Sequence, residues 1–166
     1  MLAATRPALV VRALRPGDWP AVRSIYEQGI ATRQATFETT APSWEEWDAG
    51  HLTDPRLVAE RDGEVIGWAA LSPTSRRPCY AGVVEDSVYV AEDARGQGVA
   101  TLLLRALVEG AEQAGIWTIQ TSIFPENEAS IAVHRRCGFR VVGVRVAIAQ
   151  LDGVWRNTVL MERRAS

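Results

Sequence analysis

The residue pattern that most clearly predicts ligand chemistry is the turn Arg95-Gly-Gln-Gly-Val-Ala100. It follows the strand-like run Ser87-Val-Tyr-Val90 and opens a segment with helical apolar spacing. Its two glycines let the backbone approach a ligand without a Cβ in between. Unpaired N–H groups in the first helical turn, together with the helix dipole, favour a phosphate group there. An ordinary strand-to-helix turn has the same pattern, so both interpretations stay open at this point.

Two common nucleotide sites do not fit this turn. A Rossmann site requires Gly-x-Gly-x-x-Gly at a strand end and an acidic residue about twenty positions later. Here residues 91–93 intervene, the third glycine is missing, and residues 118–121 include no carboxylate. A nucleotide P-loop requires Gly-Lys-Ser/Thr, which the turn also lacks.

Composition narrows the class of protein. The chain has 166 residues, of which 47% are hydrophobic, and this fits one domain with a sizeable core. We expect a flexible leader at residues 1–8 and a single domain at residues 9–166. The net charge of −2 gives no electrostatic reason to expect a nucleic-acid partner. The sequence has no run of 18 apolar residues, so it predicts no membrane span.

Cysteine and histidine usage predicts neither a disulfide framework nor a metal site. The two cysteines, Cys79 and Cys137, are interpreted as reduced thiols of a cytoplasmic protein. Together with His51 and His134 they show no zinc-ligand spacing, so no metal cofactor is expected.

Local signals predict strands alternating with helices. Asp18 is a candidate N-cap for a first helix, and Ser43-Trp-Glu-Glu46 fits a capping box. Turns at residues 61–63 and 152–153 predict two hairpins. The remaining predicted elements are strands at residues 9–14, 57–60, 64–71, 83–90, 116–123, 139–149 and 154–161 and helices at residues 99–114 and 127–137. Strands that both pair as hairpins and alternate with helices predict a mixed sheet in an α/β or α+β fold.

The helix predicted at residues 99–114 has a two-sided pattern with Gly115 as its C-cap. The side chains expected in its buried stripe are Val99, Leu102, Leu103, Ala106, Leu107 and Ala114.

The chain resembles the Gcn5-related N-acetyltransferases (GNAT). The turn at residues 95–100 is similar to their Q/R-x-x-G-x-G/A signature, which binds the pyrophosphate of acetyl-coenzyme A, with Ala100 as the permitted small residue. The segment from Asn127 to Phe139 resembles the later helix of the family, which ends in Gly-Phe. The resemblance covers nearly the whole chain. It implies a central mixed, mostly antiparallel twisted sheet flanked by helices.

A narrower resemblance is to the phosphinothricin and methionine sulfone/sulfoximine N-acetyltransferases. Thr36-Phe-Glu-Thr39 is similar to their early substrate-side segment, and Tyr80 with residues 84–90 is close to their central strand. Histidine at position 134 is also typical of this subgroup, whereas many other relatives have tyrosine there. The loop before Tyr80 departs from the pattern, because it reads Pro73-Thr-Ser-Arg-Arg77 in this chain.

The resemblance implies acetyl-CoA as co-substrate, a small-molecule amine as acceptor and a homodimer. The residues it implies for coenzyme binding are Val88, Tyr89, Val90, Arg95, Gly96, Gln97, Gly98, Val99, Ala100, Thr101, Asn127 and Ser130. The residues it implies for the acceptor are Phe37, Glu38, Arg76, Arg77, Tyr80 and Glu85. An arginine of the loop would meet a substrate carboxylate in a bidentate contact.

Transfer of an acetyl group to an amine requires a base, and Glu85 is the candidate. An α-amino group has a pKa near 8, so most of it is protonated at neutral pH. Strand alternation places Glu85, Ser87 and Tyr89 on one face and Val84, Val88 and Val90 on the other. A carboxylate within a strand is costly to bury unless it is functional or held in a structural salt bridge, and both interpretations stay open.

Other catalytic roles rest on the resemblance. The backbone N–H groups of Val88 and Val90 are candidates for stabilising the oxyanion, provided that the strand is splayed or bulged. His134 either assists departure of the thiol or positions water, or it is a structural histidine packed on an aromatic ring. Asn127 caps its own helix, contacts the coenzyme, or does both.

The predicted activity is therefore acetyl-CoA-dependent acetylation of the α-amino group of a small amino-acid-like acceptor. Phosphinothricin, methionine sulfoximine and methionine sulfone are the expected types. One alternative is another acceptor, such as an aminoglycoside, a polyamine or a protein N-terminus. A second is a module that binds acyl-CoA without catalysis.

Overall fold

Seven strands form one sheet in the computed structural model, which describes residues 8–166. The predicted leader lies outside this range except for its last residue. The sheet order is β1-β2-β3-β4-β5-β7-β6. The strands are β1 (Leu9–Ala13), β2 (Arg56–Arg61), β3 (Glu64–Pro73), β4 (Val83–Val90), β5 (Thr118–Ile123), β6 (Arg140–Leu151) and β7 (Val154–Arg164).

Antiparallel pairing dominates the sheet, as predicted. Strands β1 to β4 form an antiparallel meander, and β5, β7 and β6 form a second antiparallel group. The two groups meet where β4 and β5 pair in parallel. A parallel pair needs a crossover, and the helix α3 (Val99–Gln113) provides it. The mixed α/β fold with a largely antiparallel sheet is thus confirmed.

Helices cover both faces of the sheet. They are α1 (Trp19–Ala31), α2 (Trp44–Gly50), α3 and α4 (Glu128–Arg136). Gly29 of α1 lies against the ring of Tyr89, whereas Gly67 of β3 lies against Leu103 of α3. Because Gly67 and Trp68 are consecutive in β3, and Trp68 pairs with Tyr89, α1 and α3 pack on opposite faces.

The two hairpin turns form as the sequence predicts. Asp62-Gly63 and Asp152-Gly153 all have positive φ angles, which is the geometry that a tight hairpin turn requires. The strands of the second hairpin are longer than predicted, because β6 continues to Leu151 and β7 to Arg164.

At α2 the structure has the Ser43 half of the predicted capping box, and at α1 Asp18 is the N-cap residue, as predicted, but its side chain does not cap the helix. The Ser43 hydroxyl accepts a hydrogen bond from the Glu46 N–H group at 3.2 Å. Asp18 precedes α1 but makes no capping hydrogen bond to it. Its carboxylate instead accepts hydrogen bonds from the Arg12 guanidinium at 2.8 and 2.9 Å and from the Arg15 N–H group at 2.7 Å. The carboxylate of Asp18 is therefore engaged by Arg12 of β1 and by the Arg15 backbone instead of by α1.

The buried stripe of α3 is rotated relative to the prediction. Leu102 is 40% exposed and Ala114 is also exposed, so their predicted burial is wrong. Leu104, Val108 and Ala111 are buried instead, beside the correctly predicted Val99, Leu103 and Leu107. Because residues 102–104 are all leucines, the apolar stripe fits the sequence whether it includes Leu102 or Leu104. Packing of the helix against the sheet decides that Leu104 is buried.

A prediction concerns the close approach of α1 to β4. A Cβ at Gly29 would lie 2.7 Å from two ring atoms of Tyr89, whose ring is stacked on Trp68 and cannot move freely. Overpacking costs about 1–3 kcal/mol and exceeds the roughly 1 kcal/mol that alanine gains over glycine in a helix. Gly29→Ala should therefore lower the thermal midpoint. Gly50→Ala at the end of α2, where a Cβ meets nothing within 4 Å, is the control; equal midpoints for the two variants would contradict the prediction.

Candidate active site

The candidate active site lies where strands β4 and β5 separate. Their parallel pairing includes only Val83–Thr118, Val84–Ile119 and Glu85–Gln120. Beyond this point β4 runs on to Val90 while β5 pairs only with β7. The β4 edge after Glu85 therefore has no strand beside it among the described residues.

This splay is the condition that the proposed oxyanion donors require. Val88 and Val90 both lie in the unpaired stretch of β4. The pairing of β3 with β4 runs from residues 67 to 73 without a register shift, so β4 is splayed rather than bulged. The side chains and N–H groups on this edge face a cleft instead of another strand.

Two cavities occupy the gap and join into one groove. The β4–β5 cleft, of about 300 Å³, is lined by residues 34–38, 85–89 and 121–124, by Thr158, and by Asn127, Ser130 and His134 of the α4 region. The glycine-loop cleft, of about 610 Å³, is lined chiefly by residues 88–90, 94–101 (except Gln97) and the same α4 region. The groove is continuous because both cavities share walls, which include Val88, Tyr89, Asn127, Ser130 and His134.

The glycine loop has the backbone geometry that the sequence predicts. Gly96 and Gly98 have φ angles of +74° and +82°, and Gly98 is the N-cap of α3. Such angles strain any residue with a Cβ. Arg95 and Thr101 also line the glycine-loop cleft. Gln97 does not, because its side chain accepts a hydrogen bond from Arg61 at 2.7 Å and donates one to the Asp93 carbonyl at 3.2 Å.

Glu85 lies at the inner end of the groove, in the last residue pair before the strands part. Its side chain is half-buried and lines the β4–β5 cleft. Burial, and then the charge of Asp86, raise the pKa of Glu85, while a hydrogen bond from Gln120 and the charge of Arg145 partly oppose this. A carboxylate with a raised pKa in a cleft is suited to accept a proton.

Asp86 was not identified from the sequence, yet it holds His134. The Nε2 atom of His134 lies 3.1 and 3.0 Å from the two carboxylate oxygens of Asp86. The side chains are only 5% and 2% exposed. Two signals pointed to Asp86: alternation puts it on the apolar face with Val84 and Val88, and a buried acid requires a partner.

Both ring nitrogens of His134 are engaged. Nδ1 lies 2.8 Å from the Ser130 carbonyl oxygen, which can only accept, so Nδ1 carries a proton. A second proton must lie between Nε2 and Asp86, since both atoms are otherwise acceptors. Burial alone lowers the pKa of His134, but Asp86 and the Ser130 carbonyl more than offset it and the pKa is raised. The ring also packs edge-on against Phe139.

Asn127 joins α4 to the opposite wall of the groove. Its side-chain oxygen accepts the Ser130 N–H group at 3.2 Å, which confirms the predicted capping role. Its Nδ2 atom donates to the Gln34 carbonyl at 3.1 Å. Both polar atoms of the amide therefore fix the two sides of the groove relative to each other.

The predicted acceptor residues fall into two groups. Phe37 and Glu38 line the β4–β5 cleft, where the Phe37 ring packs edge-on against Phe124 at 4.9 Å. Arg76, Arg77 and Tyr80 line neither this cavity nor the glycine-loop cleft. The Arg77 guanidinium lies 5.5 Å from the centre of the exposed Tyr80 ring. Within one chain, none of these three side chains lines the cleft that holds Glu85.

A third cavity adjoins the site on the α1 face of the sheet. This tryptophan pocket, of about 540 Å³, shares Glu38 and Ser87 with the β4–β5 cleft. Its other walls are Tyr26, Thr40, Ala41, Pro42, Ser43, Glu46, Trp47, His51 and Trp68. Trp47 and Trp68 are both core residues and walls of this pocket.

The sequence of this chain matches the model of a known protein family. Residues 19–139 match the Acetyltransferase (GNAT) family, and the chain belongs to it. Its fold and its relatives identify it as an acetyltransferase, as the sequence predicts.

Its relatives include N-acetyltransferases whose names give an acceptor. The chain is 39% identical to the phosphinothricin N-acetyltransferase of Alcaligenes faecalis, over 95% of this chain and 83% of that protein. It is 33% identical to the L-methionine sulfoximine/L-methionine sulfone acetyltransferase of Pseudomonas aeruginosa, over 92% of each chain. The phosphinothricin acetyltransferase of Sinorhizobium meliloti in complex with acetyl-CoA superposes with a TM-score of 0.84 at 32% identity, covering 94% of this chain and 88% of that one.

Two further findings apply to residues 8–166. No group of three or more histidine, cysteine or acidic side chains is placed to hold a metal ion. No helix in this range is both long and apolar enough to cross a membrane.

A prediction follows from the contact between Asp86 and His134. In Asp86→Asn the desolvation of His134 is no longer offset by a carboxylate, so its pKa should fall below that of the wild type. An NMR titration of the imidazole signals measures this, with His51 as internal reference. Asp93→Asn, which changes an exposed acid, is the control.

The stability that Asp86→Asn loses should also depend on pH. Because the pKa of His134 is raised by folding, the pair stabilises the wild type below the unfolded value of about 6.5 and this contribution is lost as the pH rises through the folded value. Asp86→Asn should therefore cost more stability at pH 6 than at pH 9. An unchanged His134 titration together with a pH-independent loss would contradict the assignment.

Proposed function

We propose that this chain transfers the acetyl group of acetyl-CoA to the α-amino group of a small amino-acid-like acceptor. Phosphinothricin, methionine sulfoximine and methionine sulfone are the acceptor types that its relatives suggest. The observation that carries the proposal is the position of Glu85. It is a half-buried carboxylate of raised pKa, placed where the groove reaches the splay of β4 and β5.

The glycine-loop cleft is proposed to hold the coenzyme. The N–H groups at the start of α3 and the guanidinium of Arg95 suit the pyrophosphate. The pantetheine arm would then follow the unpaired edge of β4, whose open peptide groups supply hydrogen bonds as a neighbouring strand would. A ligand in the groove that runs from Gly98 to Glu85 brings its acyl end to the β4–β5 cleft.

The proposed reaction is a direct transfer. Glu85 accepts a proton from the ammonium group of the acceptor, directly or through water, and the free amine attacks the thioester carbonyl. The N–H groups of Val88 and Val90 are the proposed donors to the resulting oxyanion. When the tetrahedral species collapses, the C–S bond breaks and the coenzyme leaves as a thiolate.

His134 is assigned a positioning role in this reaction. It lies at the junction of the two cavities, but neither ring nitrogen is free to protonate the sulfur. Asp86 balances the charge of the imidazolium at 3.0 Å, so the pair holds α4 against β4. The attacking nitrogen becomes positively charged in the tetrahedral species and releases its second proton through water in the open groove, and that proton neutralises the departing thiolate.

Purified protein incubated with acetyl-CoA and each of the three amines tests the proposal. Release of free thiol and the mass of the acetylated amine are the readouts. Turnover only with an aminoglycoside, a polyamine or a peptide N-terminus would replace the acceptor class. Coenzyme binding without turnover on any amine would show a binding module instead of an enzyme.

A prediction concerns the base. Glu85→Gln should lower kcat by about 10²–10⁴-fold while calorimetry gives an unchanged Kd for acetyl-CoA. In the wild type, kcat should fall on the acid side at a pH above 4.5, because protonation of Glu85 removes the base, and the variant should lack this limb. Glu109→Gln on the exposed face of α3 is the matched control. Full activity of Glu85→Gln would disprove the assignment.

A homodimer is proposed through the β6 edge of the sheet. β6 is an edge strand, and its apolar side chains are unusually exposed: Val142 45%, Val144 57%, Val146 75% and Ile148 48%. Trp155 of β7 adds a side chain that is 61% exposed. An edge strand with this much apolar surface is a site of strand or sheet association.

Val146→Asp should therefore convert a dimer to a monomer in sedimentation or light-scattering measurements. Val10→Asp, at an exposed valine on β1 at the opposite edge, should leave the dimer intact. A monomeric wild type, or a Val146→Asp variant that remains dimeric, would contradict this interface.

A further inference from the structure

One wall of the β4–β5 cleft has no regular secondary structure of its own. Residues 34–38, named the wall segment here, line the cleft and belong to the connection of residues 32–43 between α1 and α2. The hydrogen-bond ladder of a helix or a sheet therefore does not fix their position. A connection of this kind keeps one geometry only where contacts from other elements hold it.

Arg156 of β7 supplies two such contacts at the start of the wall segment. Its guanidinium donates to the Arg33 carbonyl oxygen and to the Gln34 side-chain oxygen, each at 3.0 Å. Arg33 has a φ angle of +58°, a left-handed conformation that is strained for a residue with a Cβ and persists only where surrounding contacts impose it. Asn127 binds the Gln34 carbonyl from the α4 side, so the chain is held here between α4 and β7.

The same guanidinium also lies over an aromatic ring of the cleft. Its Cζ atom is 4.0 Å from the centre of the Phe124 ring, and that ring packs edge-on against Phe37 of the wall segment. Phe37 and Phe124 both line the cleft. Thr158, which follows Arg156 by two residues in β7 and shares its face of the sheet, lines the cleft as well. One arginine therefore contacts two of the segments that form the cleft.

The Arg156 side chain is placed to hold protein groups, not a ligand. It is only 15% exposed and lines none of the three cavities. A flat guanidinium can donate in two directions while its face lies on a ring, which an ammonium group cannot do. The remaining contact, to the Glu126 carboxylate, is 3.4 Å long, and that acid is 60% exposed. The main partners of Arg156 are therefore the start of the wall segment and Phe124.

We infer that Arg156 is a positioning residue: it fixes the wall segment relative to Phe124, and this geometry sets the affinity for the acceptor. The inference rests on the proposed function. The proposed coenzyme site depends mainly on the glycine loop, and Glu85 and the proposed oxyanion donors lie on β4, so neither requires Arg156. Loss of the contact should then weaken acceptor binding while sparing coenzyme binding and the chemical step.

The first test separates acceptor affinity from catalysis. Arg156→Gln removes the guanidinium and should raise KM for the acceptor by about tenfold while kcat changes little, because hydrogen bonds from a charged donor are lost but the base stays in place. Arg156→Lys, which keeps the charge but not the fork, should lie between this variant and the wild type. Calorimetry should give an unchanged Kd for acetyl-CoA in both. An unchanged acceptor KM, or a loss confined to kcat, would overturn the inference.

Arg163→Gln is the matched control for general destabilisation. Arg163 lies on the same strand, is 19% exposed, and donates to Glu112 of α3 at 2.7 Å, away from the cleft. Its loss should lower the thermal midpoint and leave the acceptor KM at the wild-type value. Equal increases of KM in Arg163→Gln and Arg156→Gln would show that Arg156 acts only through stability, and the inference would fall.

A double-mutant cycle tests the contact between Arg156 and Gln34. Gln34 itself lines the cleft, so Gln34→Ala affects acceptor binding in more than one way, and the cycle isolates the part that it shares with Arg156. The increase of KM in Arg156→Gln/Gln34→Ala should be smaller than the product of the two single increases by about twofold or more. Single effects that simply multiply would exclude this contact as the cause.

Amide hydrogen exchange tests the holding role without any substrate. The N–H groups of residues 33, 34 and 38 are hydrogen-bonded, so peptides that cover residues 33–38 can report local opening. Exchange there should be faster in Arg156→Gln than in the wild type or in Arg163→Gln. Unchanged exchange would overturn the inference even in a protein that acetylates the proposed acceptors. Faster exchange in a protein that acetylates no amine would refute the proposed function and support the holding role.

Discussion

The separation of β4 from β5 after Glu85 is the constraint on which the rest of the structure depends. A parallel pair that continued to the strand ends would satisfy the peptide groups of β4 with those of β5 and leave no groove. Because the pairing includes only three residue pairs, the following stretch of β4 keeps open edge groups beside two cavities. Open peptide groups are costly unless water or a ligand satisfies them, and an extended ligand can do so as a strand would.

The gap is held open by contacts that reach across it. α4 lies along it and is tied to β4 by the buried contact between His134 and Asp86 and to the loop after α1 by Asn127. The Tyr89 ring stacks on Trp68 and packs against Gly29 of α1, which fixes the other face of β4. The groove is thus braced from both sides of the sheet.

Adjacent carboxylates acquire different roles from their surroundings. Glu85 and Asp86 are consecutive, so strand alternation sends them to opposite faces. Asp86 is buried against His134, whereas Glu85 faces an open cleft with only Gln120 and the more distant Arg145 to stabilise its charge. The negative charge of Asp86 contributes to the raised pKa of Glu85, so the carboxylate that holds His134 also makes Glu85 a better base.

The sequence alone determined the elements whose signals are local. Gly96 and Gly98 specified the loop at the start of α3, the two Asp-Gly turns specified the hairpins, and alternation along β4 placed Glu85 on the same face as Ser87. These features depend on residues a few positions apart, so backbone preferences are enough to predict them. The resemblance of two motifs to one family then gave the fold and the reaction class.

Only the tertiary structure decided which distant residues meet. Asp86 and His134 are 48 positions apart, and nothing local pairs them. The same holds for the direction of the α3 stripe and for the pocket formed by Trp47, Trp68 and Ser87. Such contacts depend on how the helices lie on a twisted sheet, and a side chain that can point two ways takes the direction that packing selects.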